Sequence, residues 1–140
     1  MKEMVLIDAE NLIMGRLASH VATRLLKGEE ITIVNAEKTI ITGSKKQILA
    51  NFRQKRRVGG ERKGPYYPRM PDRILKRTIR GMIPIKKPSG RAAHKRLRVY
   101  IGVPKDLMDQ KTSTVKQASA AGKIKYVELG EVSRELGAKF

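Results

Sequence analysis

The chain has 140 residues, with 31 Lys and Arg against 13 Asp and Glu, and a formal net charge of +18. The absence of cysteine excludes disulfides and thiolate metal sites, and no apolar run approaches the roughly 20 residues of a membrane span. A hydrophobic fraction of 40% supports one core, which the aromatic fraction of 4% makes aliphatic. We therefore expect one soluble, intracellular domain over residues 1–140, without a signal peptide.

The N-terminal part of the chain predicts a strand followed by a helix. Residues 4–8, "MVLID", form a short apolar run of the kind found in buried strands. Leu17, Val21 and Leu25 then repeat every four residues, which predicts an amphipathic helix. Gly28 is expected to end this helix, because glycine readily adopts the left-handed conformation.

Two further strands and a second helix follow. The segment "ITIVN", residues 31–35, is apolar and β-branched, and "TIITG", residues 39–43, is a third short extended segment. Ser44 is expected to cap a helix over "SKKQILANFRQKR", with Gln47 completing a capping box.

The stretch "RQKRRVGGERKGPYYPR", residues 53–69, concentrates positive charge. It holds seven Lys or Arg against one acid, Glu61. Its glycines and prolines interrupt regular structure, so we expect a long loop, and long loops inside compact domains are usually functional.

A strongly amphipathic helix is predicted next, over "PDRILKRTIRGMIP", residues 71–84. Leu75, Ile79 and Met82 are expected to form its apolar stripe. Four cations at spacings of three and four make the opposite face continuously basic. These cations are Arg73, Lys76, Arg77 and Arg80.

The remaining elements complete an α/β pattern. Residues 85–97 are a basic linker and a short helix, and residues 98–103, "RVYIGV", are typical of a strand. Residues 123–129, "KIKYVEL", predict another strand, and "EVSREL", residues 131–136, a final helical turn. Strands alternating with helices indicate an α/β fold with a mainly parallel sheet.

The positive charge is confined to the middle of the chain. Residues 51–100 carry 17 basic and 2 acidic side chains, and Arg outnumbers Lys by 11 to 6. A merely solvated surface would mix the signs, whereas Arg is the better bidentate ligand for phosphate, so we expect a nucleic acid partner. The expected contacts are Arg53, Lys55, Arg56, Arg57, Arg62, Lys63, Tyr66, Tyr67, Arg69, Arg73, Lys76, Arg77, Arg80, Lys86, Lys87, Arg91, Lys95, Arg96 and Arg98.

Tyr66 and Tyr67 leave two roles open. Set among the charges of the predicted loop, their rings could stack on an unpaired base or a sugar. The same rings could instead pack the loop against the core.

Other kinds of site have weaker signals. His20 and His94 are the only histidines and there is no cysteine, so no metal site is expected. Asp8 and Glu10 end the first strand, where α/β enzymes often place active groups, yet Asp8 equally suits a capping role. The glycines of "VGGERKGP" and "ITGSKK" lack the spacing of nucleotide-binding loops, and no helix pairs a basic face with the bulky aromatic anchors of a membrane-surface helix.

Several motifs, in this order and spacing, closely resemble the universal large-subunit ribosomal protein L13 family, in its archaeal and eukaryotic branch. They include "GRLAS", "IVNAEK" and "RTIRGMIP", followed by "KRLRVY". The short chain favours an archaeal member. The match extends from residue 5 to about 105 and is looser over the tail, about 105–140.

The resemblance implies a three-layer α/β/α fold around a four-stranded parallel sheet. It also implies a non-catalytic protein without a cofactor or small-molecule substrate, located in the cytoplasm as part of the large ribosomal subunit. Its partners would be large-subunit rRNA, bound through residues 53–98 during assembly, and neighbouring ribosomal proteins. Two alternatives remain: a regulatory RNA-binding protein outside the ribosome, and an RNA-modifying enzyme using Asp8, Glu10 or Glu37.

Overall fold

The computed structural model describes residues 4–60, 62–119 and 125–140. Glu61 and the first two residues of the predicted strand 123–129 lie outside them. The helices are α1 (Met14–Leu26), α2 (Lys45–Arg57), α3 (Pro71–Arg80), α4 (Pro88–Lys95) and α5 (Leu129–Glu135). The strands are β1 (Met4–Asp8), β2 (Glu30–Val34), β3 (Ile40–Thr42), β4 (Leu97–Val99) and β5 (Tyr126–Glu128).

The principal sheet is parallel and has the strand order β1-β2-β4. Ile31 of β2 lies opposite Val5 of β1 and Leu97 of β4. The expected α/β class with a mainly parallel sheet is confirmed. Within the described residues, three parallel strands form this sheet and not the expected four, and the outer edge of β1 carries an isolated parallel bridge between Ile7 and Ser113.

Strand β3 leaves the principal sheet and pairs antiparallel with β5, with Ile41 opposite Val127. Only the five residues 35–39 separate β2 from β3. A parallel crossover needs about a dozen residues or more, so β3 cannot return beside β2 in the same direction. Asn35, with a φ of 58°, turns the chain away immediately after β2. The separate β3–β5 ribbon follows from this short connection.

Helix α1 packs on the sheet as its periodicity predicts. Leu17, Val21 and Leu25 are all fully buried. Gly28 has a φ of 98° just beyond the helix, which confirms its expected role as a terminator. In α2, the Ser44 hydroxyl accepts a hydrogen bond from the Gln47 backbone N–H at 3.4 Å, so the predicted N-cap is also present.

Helix α3 buries one side and exposes the other. Leu75 and Ile79 are fully buried, as expected, and Ile74 is buried beside them. The expectation for Met82 is wrong: 43% of this residue is exposed, and Ile83 is buried instead. The reason is that the helix ends at Arg80, so helical periodicity no longer governs the residues after it.

Two predicted boundaries differ from those observed. Helix α2 continues to Arg57, so the first five residues of the expected loop 53–69 are helical. The expected strand 98–103 is shorter, because β4 pairs only over Leu97–Val99 and then bends at residue 101. The cations at the end of α2 are therefore presented from a rigid element rather than from an irregular loop.

Candidate nucleic-acid interface

The last turns of α2 carry three of the expected RNA contacts on one helical face. Arg53, Arg56 and Arg57 are spaced three and four residues apart, which places their side chains together. With Arg69 from the following loop, they line a shallow depression whose other walls are Glu135 and Leu136. The structure thus brings together four of the cations that the sequence singled out.

Tyr67 joins α2 to α3. Its half-buried ring meets the Phe52 ring edge-on, with 6.0 Å between centroids. Lys55 Nζ lies 5.4 Å and the Arg77 guanidinium carbon 4.8 Å from the centre of the Tyr67 ring. The Arg56 guanidinium donates to the Tyr67 carbonyl oxygen. Burial raises the pKa of the Tyr67 hydroxyl, and the nearby Arg77 charge partly opposes this. The cations of α2 and α3 therefore share one aromatic support.

The two tyrosines have different environments. Tyr66 is 65% exposed, and its carbonyl oxygen accepts a hydrogen bond of 3.3 Å from Arg77. Tyr66 and Tyr67 both border a surface depression that also includes Pro65 and Gly60. Tyr67 suits the packing role that the sequence left open, and the Tyr66 ring is placed where a base could reach it.

Replacing each tyrosine with Ala is expected to separate stability from RNA binding. Tyr67→Ala should lower the free energy of unfolding by about 1–3 kcal/mol, since it removes the ring between α2 and α3. Tyr66→Ala should change it by less than about 1 kcal/mol but weaken rRNA binding by about 1–3 kcal/mol, the usual value of one base–aromatic stack. Thermal melts and filter binding measure both quantities, with Tyr66→Phe as the control that keeps a ring. Equal melting shifts for the two Ala variants would contradict this division.

Positive charges of α3 lie close to His94 of α4. The pKa of the His94 imidazole lies below its ordinary value of 6.5. Partial burial is the largest cause, and the nearby charges of Lys76 and Arg80 on α3 add to it. Within the described part of the chain, no acidic side chain forms an ion pair with Lys76, Arg80 or His94, so these like charges suppress protonation of the imidazole. The cationic face of α3 therefore continues onto α4.

His94 provides a pH test of this arrangement. Because its pKa is lowered on folding, the unfolded chain binds the proton more readily, and stability should fall as the pH drops below about 6.5. The lost stability should return as the pH is raised again to about 6.5. Bound phosphate groups should raise the His94 pKa by offsetting Lys76 and Arg80. NMR titration with and without RNA measures this shift, and His94→Asn removes the titrating group as a control. A free-protein pKa above 6.5 would contradict the prediction.

Three further cations lie at the start of β4. Arg96 donates to the Leu25 carbonyl oxygen at 2.6 Å, at the C-terminal end of α1, where the same carbonyl also accepts from the Gly28 backbone N–H at 3.1 Å. Lys95 and Arg98 are exposed and border a depression that also includes Glu30 and Thr32. Arg96 thus has a structural contact, while Lys95 and Arg98 face solvent.

Most of the expected contacts are solvent-exposed, and four are half-buried: Arg56, Tyr67, Lys76 and Arg96. Among residues 4–60, 62–119 and 125–140, the one ion pair that involves the set joins Arg53 to Glu135 at 3.4 Å. The basic surface is therefore left largely without acidic partners from the described part of the protein.

Comparisons with known proteins agree with the geometry. A family model described as ribosomal protein L13 matches residues 2–106. A Methanosarcina barkeri protein named large ribosomal subunit protein uL13 is 54% identical over 140 residues, covering 98% of this chain and all of that protein. The protein of the same name from Methanocaldococcus jannaschii is 52% identical, over 98% of this chain and all of its own length. The chain belongs to the ribosomal protein L13 family.

Membership of the ribosomal protein L13 family confirms the resemblance seen in the sequence. Both relatives come from archaea, which supports the archaeal branch. The family model ends at residue 106, where the motifs also become looser, while the relatives match across the C-terminal part that contains β5 and α5.

The ribosomal protein L13 family consists of structural proteins, so the chain is not an enzyme. Two of the three acids that a catalytic alternative would need accept structural hydrogen bonds. Asp8 accepts hydrogen bonds from the Glu10 backbone N–H at 3.0 Å and from the Asn35 side chain at 2.9 Å. Glu37 accepts one from the Gly102 backbone N–H at 2.9 Å. Asp8 therefore stabilises the turn after β1, although α1 itself has no side-chain cap.

Two other kinds of site are absent from the described ranges. No three His, Asp or Glu side chains of these residues cluster in a way that could hold a metal ion. None of the helices found there combines the length and apolar character needed to cross a bilayer.

One residue beside the basic surface, Glu135, was not predicted from the sequence. Glu135 pairs with Arg53 although 82 positions separate them. The available signal was weak: Glu131 and Glu135 lie four residues apart in a chain segment that was expected to form only one helical turn. Nothing in that spacing shows that α5 packs against α2.

Proposed function

We propose that this protein is a structural component of the large ribosomal subunit that binds large-subunit rRNA through residues 53–98. The observation that carries the proposal is the run of exposed cations on α2, the following loop, α3 and α4. Tyr67 links α2 to α3, and the cations Lys76 and Arg80 of α3 lie near His94 of α4. The relatives are named as large ribosomal subunit proteins, which supports the same role here.

The mechanism is electrostatic and positional. Cations on rigid helices offer phosphate oxygens several charge-assisted hydrogen bonds at once, and each neutralised phosphate releases bound counterions. Mutual repulsion among the cations falls when phosphates lie between them. The protein would hold converging rRNA segments together during assembly of the subunit and remain there, in the cytoplasm, beside neighbouring ribosomal proteins. The whole of residues 1–140 would act as one domain.

Sedimentation of native particles tests this function. Cell lysate is separated on a sucrose gradient, and the fractions are probed for this chain at low and at moderate salt. We expect it to sediment with the large subunit at both. A chain found mainly at the top of the gradient, free of rRNA, would overturn the proposal and favour an RNA-binding role outside the ribosome.

A further inference from the structure

The depression between α2 and α5 is strongly basic. Its lining has four guanidinium groups, from Arg53, Arg56, Arg57 and Arg69, and one carboxylate, from Glu135. The local formal charge is therefore +3, from four positive groups and one negative group. Arginines held this close repel one another, so the depression favours an additional anion.

Glu135 already occupies part of the depression as an anion. One of its carboxylate oxygens lies 3.4 Å from an Arg53 guanidinium nitrogen, and both side chains are nearly half exposed. The exposure keeps this pair weak, since solvent and salt screen it. An RNA backbone phosphate carries the same single negative charge and, unlike Glu135, is free to accept hydrogen bonds from several of the four guanidinium groups at once, so it can displace Glu135.

Helix α5 is held against α2 by a second ion pair. Lys45 Nζ lies 2.5 Å from Glu131, and the hydrogen bond to Glu131 raises the pKa of Lys45. Lys45 and Arg53 are eight residues apart, or about 12 Å along the α2 axis. Displacing Glu135 from Arg53 therefore leaves this second attachment in place.

We propose that the depression lined by Arg53, Arg56, Arg57 and Arg69 is a subsite for one RNA backbone phosphate, with Glu135 as the intramolecular anion that this phosphate displaces. The proposal deepens the rRNA-binding function and rests on it. Arg56 is oriented by its hydrogen bond to the Tyr67 carbonyl, while Arg53 is released from Glu135 to meet the phosphate. Glu135 thus lowers the affinity of the protein for RNA, because Arg53 must first be released from it.

The test compares two matched variants of the full chain. Glu135→Gln and Glu131→Gln each remove one negative charge from α5, four residues apart. Binding to a large-subunit rRNA fragment is measured across a salt series. We expect E135Q to bind about threefold to tenfold more tightly than the unmodified protein. E131Q should change affinity by less than about twofold, because the Glu131 carboxylate is paired with Lys45 and not with an arginine of the depression.

A double-variant cycle assigns the effect to Arg53. Arg53→Gln in the E135Q background should abolish most of the gain, since the two changes act on one interaction. Glu135 is exposed, so the fold is not at risk, and thermal melts check this. Equal tightening by E135Q and E131Q would overturn the subsite, because net charge alone would then explain it. Loss of affinity in E135Q would also overturn it.

Inorganic phosphate distinguishes the RNA backbone from a free anion. The Arg53 Nε–Hε resonance is followed by NMR while RNA, or inorganic phosphate at the same concentration of phosphate groups, is added. RNA is expected to shift it and inorganic phosphate is not. Saturation by inorganic phosphate alone would overturn the assignment to RNA. If the unmodified chain fails to bind rRNA, the proposed function fails with the subsite; if it binds and the variants behave alike, only the subsite fails.

Discussion

Gly90→Ala is expected to lower the free energy of unfolding by about 2–4 kcal/mol. Gly90 is buried in α4, and a Cβ atom added there would lie 1.9 Å from the Pro84 carbonyl oxygen and 2.4 Å from its carbon. Both are backbone atoms, so no side-chain rotation relieves the overlap. The intrinsic helix preference of Ala over Gly, about 1 kcal/mol, is smaller than the cost of moving α4 away from this segment.

Gly15→Ala is the matched control for Gly90→Ala. Gly15 is exposed in α1, and no heavy atom lies within 4 Å of the position its Cβ would take. The same substitution should leave stability unchanged or raise it by up to about 1 kcal/mol. Urea denaturation followed by circular dichroism measures both variants. Equal stabilities for the two would show that α4 does not pack as closely as the structure indicates.

Neutralising three exposed arginines is expected to weaken rRNA binding about a hundredfold at physiological salt. Arg57, Arg73 and Arg80 lie on α2 and α3 and face solvent. At about 1 kcal/mol for each phosphate contact, their replacement by Gln should cost about 3 kcal/mol. The dependence of log K on log salt should become shallower by about 2 to 3, since each lost contact releases about 0.7–0.9 fewer counterions. Gln suits helices, so the fold should be retained.

The control for this triple variant changes the same charge elsewhere. Lys105, Lys111 and Lys116 are exposed and lie outside the basic segment 53–98. Their replacement by Gln should reduce affinity by less than about fivefold and leave the salt slope nearly unchanged, because only long-range attraction is lost. Filter binding over a salt series measures both triple variants. Equal losses would mean that net charge, and not the surface of α2 and α3, determines binding.

The sequence alone was sufficient for features that depend on local periodicity. Leu17, Val21 and Leu25 repeat at the helical period and are fully buried in α1, and Gly28 ends that helix. The concentration of 17 cations in residues 51–100 likewise needs no structure to be seen. The match to the ribosomal protein L13 family agrees with these local signals. Such features are readable because each depends on residues within a few positions of one another.

Features that depend on contacts between distant segments required the tertiary structure. β3 reads as a strand, yet its antiparallel partner β5 lies more than 80 residues away, and the short connection after β2 keeps it out of the parallel sheet. Tyr66 and Tyr67 are adjacent and chemically identical. Their environments differ because the fold places Phe52 and Arg77 against the Tyr67 ring. Periodicity and composition describe which faces are apolar or charged, while the packing of α5 against α2 decides that Glu135 reaches Arg53.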